Sequence, residues 1–187
     1  MSAIAALAAT PAHAHGPFGS AAPFWSGVFH FAVAPLAIVV SIAFTAAIAR
    51  ADDHTVLAAI GIAAATAFGA ALWMPSQWIA PAPLAAIASG LLALSGWRGR
   101  RWLYCLLAAL AGSAIGIVAE PDQRTWGAAF GISGVVMLIS SAGVELFLWF
   151  DRQLRWQAAA LVAQRILGAW VVAIGLLLGA LALFVGS

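Results

Sequence analysis

The chain has 187 residues, of which 65% are hydrophobic and only 7% charged, with a formal net charge of +2 and a mean hydropathy of +1.05. This excludes a soluble globular domain, which needs polar surface that the chain lacks, and no nucleic-acid partner is expected. The charges fall between long apolar runs, so the sequence reads as a polytopic, all-α membrane protein in contact with the lipid bilayer.

Residues 1–22 open with MSAIAALAATPAHAHG, which resembles the tail of a secretory signal, with Ala12-His13-Ala14 as a small-residue site before His15. Its apolar core runs only from about Ala3 to Ala9 and no basic residue precedes it, so the segment reads as signal-like or periplasmic. Residues 23–187 form the transmembrane domain. Six helices are predicted, at Ser26 to Ala49, Thr55 to Met74, Pro83 to Trp97, Trp102 to Ala119, Gly127 to Trp149 and Ala158 to Val185. The third covers only about 22 Å at 1.5 Å per residue, and Pro81 and Pro83 mark its start.

All eight basic residues are arginines, and seven of them (Arg50, Arg98, Arg100, Arg101, Arg152, Arg155 and Arg165) fall on one side of a six-span bundle. Arg124 alone lies opposite, so both termini are expected away from the cytoplasm, in a bacterial inner membrane. Trp25, Trp73, Trp97, Trp102, Trp126, Trp149 and Trp156 lie at or near helix ends, where indole rings favour the headgroup layer; Trp170 is internal.

Small residues recur at four-residue spacing, which predicts close helix packing at Gly61, Gly69, Gly90, Gly112, Gly116, Gly127, Gly131, Gly175 and Gly179. Cys105 is the sole cysteine, which rules out an intramolecular disulfide and fits a packing role. Asp52, Asp53 and His54 beside Arg50 have the composition of a polar turn, as do Glu120, Asp122 and Arg124 after helix four. Neither turn holds a nucleophile with a base, and no catalytic residue or enzymatic activity is expected.

Three ionisable residues fall inside the predicted spans: His30, Glu145 and Arg165. Each is expensive in a bilayer unless paired or hydrated, which makes them the pointers to function. Glu145 and Arg165 lie at similar depth, about 7 and 10 Å from the arginine-rich side, and form either a structural pair, a relay or separate snorkelling groups. His30 lies about 9 Å from the other side, and within two turns of it the only other polar side chain is Ser26. No cofactor is expected. A transition metal at His30 would need further imidazole, thiolate or carboxylate ligands, whereas a five-coordinate haem or chlorophyll needs one imidazole.

The stretch SGVFHF, the AHAHG end of the leading segment and AFGISGVVMLISSAGVEL in the fifth predicted helix together resemble the HupE/UreJ family, associated with hydrogenase and urease metal supply. The resemblance implies six helices and a nickel or cobalt permease carrying two metal motifs. The first, HPxxGxDH, falls on His30, Phe31, Ala34, Leu36 and Ala37, so only His30 is retained. The second, HGxxHGxE, falls on Ser113, Ala114, Ile117, Val118 and Glu120, and only Glu120 is retained. A path lined by alanine, leucine and isoleucine has no donors to replace the hydration shell of nickel. The expected function is therefore a non-enzymatic accessory or structural subunit of HupE/UreJ type, packed in a larger membrane complex. The alternative is a divergent permease for nickel, cobalt or another small solute.

Overall fold

The computed structural model describes residues 21–75, 81–96, 99–119, 121, 124–153 and 157–185. Among them are seven α-helices and no strand: α1 (Ala22–Val33), α2 (Pro35–Ile48), α3 (Asp53–Trp73), α4 (Pro81–Ser95), α5 (Arg101–Val118), α6 (Trp126–Arg152) and α7 (Gln157–Val185). Four are long and apolar enough to cross a bilayer: α3, α5, α6 and the Leu161–Leu181 part of α7. The pair α1–α2 would add a fifth if it forms one span, and the apolar part of α4, Ala82–Ser95, is shorter.

The predicted first helix, Ser26 to Ala49, is corrected by the structure. It is two helices bent by 81°, and the break falls at Ala34, whose φ of −96° and ψ of 93° are extended. Pro35 is the cause. Its ring disfavours a helical conformation in the preceding residue, and its missing N–H removes one rung of the helical ladder, while its fixed φ suits the first turn of a new helix.

α2 lies at the centre, packed against α4, α5, α6 and α7. Ala37, Val40, Ser41 and the whole run from Ala43 to Ile48 are buried, as expected of a helix apolar on every side. Its two hydroxyls are satisfied within the helix, Ser41 Oγ donating to the Ala37 carbonyl at 2.8 Å and Thr45 Oγ1 to that of Ser41 at 2.7 Å. The remaining helices pack in pairs through glycine. α3 and α5 run parallel, with Gly112 against Ala63 and Gly116 against Ala67, while α4 and α7 run antiparallel, with Gly90 at Gly168 and Gly175 at Ile87. α1 packs on the first turns of α6, Gly27 against Ala128 and Gly131 against Phe24. Lipid offers no hydrophobic push between helices, so close backbone approach supplies dispersion contacts instead.

Two expected packing glycines are corrected. Gly61 is exposed and a Cβ there would meet nothing within 4 Å, while one at Gly69 would touch only the ring of Trp73, one turn along its own helix. The α3 face that meets α5 is the neighbouring one, through Ala63, Thr66 and Ala67. Conversely, Gly27, Gly143 and Gly168, which the four-residue spacing did not select, are sites of tight contact.

Aromatic rings meet where α3 ends and α6 begins, with Phe68 5.5 Å from Trp126 and 4.8 Å from Phe130. Trp73, Trp102, Trp126 and Trp149 are exposed at helix ends, and Trp170, mid-way along α7, also faces outward. Cys105 is half-buried and unpaired.

Candidate functional site

His30 lies in the last turn of α1. It is half-buried, edge-on to Phe29 with ring centroids 6.3 Å apart, and precedes the buried Phe31. The positions of the first motif straddle the helix break: His30 and Phe31 on α1, Ala34 at the break, and Leu36 and Ala37 on α2. Ala37 is fully buried in the core, so no polar ligand stands where a second metal donor would be needed. Among the described residues no three His, Cys, Asp or Glu side chains gather closely enough to share a metal ion. Glu120 of the second motif lies outside the described residues.

Glu145 and Arg165 both face outward, and no ion pair joins them. Arg165 instead reaches the turn after α4. Gly96 there has φ +63°, a conformation that favours glycine, and a Cβ on it would stand 3.9 Å from Arg165 Nη2 and 3.8 Å from Arg50 Nη1. Two cations thus converge on the negative end of the α4 dipole. The three intramembrane ionisable residues are therefore dispersed rather than assembled into one relay.

Beside this turn lies a cavity of about 320 Å³ lined by Arg50, Ala51, Asp52, Gly99 and Tyr104. The buried Tyr104 hydroxyl accepts the Gly99 N–H at 3.2 Å. Asp52 caps α3, accepting from Thr55 Oγ1 at 2.6 Å and from the Thr55 amide at 3.0 Å. The Thr55 hydroxyl and amide, with the charge of Arg101 behind them, hold its carboxyl below the usual carboxylate range.

Gln164, uncharged and so inconspicuous in the sequence, is buried at the α2–α7 contact, where its Nε2 donates to the Ala46 carbonyl at 2.6 Å. Its signal in the sequence is an amide within an apolar run. Ser89 on α4 and Ser140 on α6 are fully buried with no hydrogen-bond partner among the described residues. Rotation onto the carbonyl four residues back, as Ser41 does, would satisfy each.

Comparison with protein-family models, with curated proteins and with solved structures found no match.

Proposed function

We propose that the chain is a non-enzymatic accessory subunit of HupE/UreJ type, crossing a bacterial inner membrane six times and packing in a larger membrane complex. In this reading the bent pair α1–α2 and the short α4 each serve as one span, with the arginine-rich end cytoplasmic. The observation that carries the proposal is Glu145. It is exposed on the outer face of α6 between exposed Leu138, Leu146 and Trp149, about 10 Å from the charged helix end at Arg152. A charge facing hydrocarbon costs about 2.5 to 3.5 kcal/mol at a bilayer centre and less at the depth of Glu145, and a donor on a neighbouring subunit removes that cost. Glu145→Gln keeps hydrogen-bonding capacity, whereas Glu145→Leu does not. Purification from native membranes in mild detergent is expected to return a stoichiometric complex for the wild type and Glu145→Gln, and at least tenfold less of it for Glu145→Leu. A monodisperse free monomer in all three preparations would overturn the proposal.

The break beside His30 favours a second reading, a divergent permease for nickel, cobalt or another small solute. Interrupted helices are where membrane transporters expose backbone carbonyls to a substrate, and Ala34 interrupts the ladder four residues after His30. Cells expressing the wild type would then accumulate labelled nickel or cobalt several-fold above His30→Ala and empty-vector cells. Equal uptake in all three rejects metal transport.

A further inference from the structure

We propose that the arginine-rich end holds a phosphate-binding site whose ligand is the headgroup of an anionic phospholipid. Arg50, just beyond α2, and Arg165, on α7, come from parts of the chain more than a hundred residues apart, yet both guanidinium tips reach the Gly96 turn. Like charges repel, and the end of one helix dipole supplies only about half a negative charge against them. The convergence therefore leaves an unmatched positive charge beside a cavity of about 320 Å³, a volume within the range of small-ligand sites.

Among the described residues no carboxylate forms an ion pair with Arg50 or Arg165. Asp52, on the cavity wall, is committed to the α3 N-terminus through Thr55 and lies under the influence of Arg101. Asp151 lines a smaller cavity of about 30 Å³ that Arg50 and Gln164 also border. The described residues at this end comprise Arg50, Arg100, Arg101, Arg152 and Arg165 against Asp52, Asp53 and Asp151. A guanidinium pair suits a phosphate because each offers several N–H donors in a fixed fork. Gly96 has no side chain to occupy the space between them. Arg165 is exposed on the outside of α7, so a headgroup can reach it from the bilayer, where phosphates lie at the level of helix ends. The inference depends on membrane embedding and not on the accessory or permease reading.

The test uses the full chain, delipidated in detergent, with thermal midpoint and native mass spectrometry as readouts. Titration with phosphatidylglycerol is expected to raise the wild-type midpoint and leave bound lipid in the mass spectrum, while phosphatidylcholine does neither. In Arg50→Gln/Arg165→Gln the apparent affinity for phosphatidylglycerol is expected to fall roughly twenty- to thirtyfold. The single variant Arg165→Gln, altered only at an exposed side chain, is expected to fall about fivefold and serves if the double variant does not fold. Arg152→Gln, which removes a charge that does not reach Gly96, is the charge control and is expected to leave the affinity unchanged; a loss as large as that of Arg165→Gln would overturn the site. Inorganic phosphate shifting the midpoint as much as the lipid does would overturn the lipid assignment in favour of a free phosphate ligand. Equal affinity in wild type and Arg165→Gln, or equal response to both lipids, would overturn the site.

Discussion

Gly112→Ala is expected to destabilise the bundle by about 3 kcal/mol or more, and Gly112→Leu to leave no folded monomer in detergent. A Cβ at Gly112 would overlap the carbonyl oxygen of Ala63 and the hydroxyl of Thr66. Neither can step aside, because the first is helix backbone and Thr66 Oγ1 is held by the carbonyl of Ile62 at 2.8 Å. One turn on, Gly116 presses against the carbonyl of Ala67, and a Cβ there would also stand 2.8 Å from Ala70 Cβ. Relief therefore requires α3 and α5 to separate along their contact rather than one side chain to turn. Gly61→Ala is the control from the same helix pair. Nothing lies within 4 Å of its would-be Cβ, so replacing a mid-helix glycine there is expected to stabilise by about 0.5 to 1 kcal/mol. Thermal unfolding in one detergent measures both, and equal losses at the two positions would mean that α3 and α5 do not pack as described.

Gln164→Leu is expected to cost about 1 to 2 kcal/mol, although leucine fills nearly the same volume. The Ala46 carbonyl lies in the last turn of α2, where acceptors exceed the donors that follow them, and Gln164 reaches across from α7 to satisfy it. Losing the amide leaves a buried carbonyl unpaired. Gln164→Glu is expected to be worse at neutral pH, because an ionised carboxylate has no donor to offer that oxygen and must be buried as a charge. Thermal midpoints below that of the wild type in the order Gln, Leu, Glu are the expected series. A Gln164→Leu midpoint equal to wild type would show that the bond adds nothing to holding α7 against α2.

Both predictions concern residues whose importance is only partly visible in the sequence. Gly112 and Gly116 stand out because small residues at four-residue spacing form a flat stripe on a helix, but Gly61, Ala65 and Gly69 form the same stripe and face outward on α3. Spacing identifies a face that permits close approach and says nothing about whether another helix occupies it. Gln164 was hidden for a different reason: beside Arg165 it reads as interfacial polarity, and its partner lies 118 residues away. Pro35 was legible. A proline in mid-span permits anything from a slight kink to a turn of 81°, and which occurs depends on what each half packs against, here α6 for α1 and four helices for α2.

The candidate site follows the same division. Composition alone determines that this is a helical membrane protein, because a chain with 65% hydrophobic residues and 7% charge can satisfy its backbone in a bilayer only by helix formation or a closed barrel, and its apolar runs have helical length. Charge placement likewise concentrates the arginines in the segments between apolar runs, because a charge inside a span is costly. Which intramembrane polar groups meet is decided only by tertiary structure. Glu145 and Arg165 have matching depth, but depth is set by position along a helix while pairing depends on rotation about its axis and on which helices are neighbours. Those two quantities place Arg165 with Arg50 at Gly96, and turn Glu145 outward to whatever surrounds the bundle.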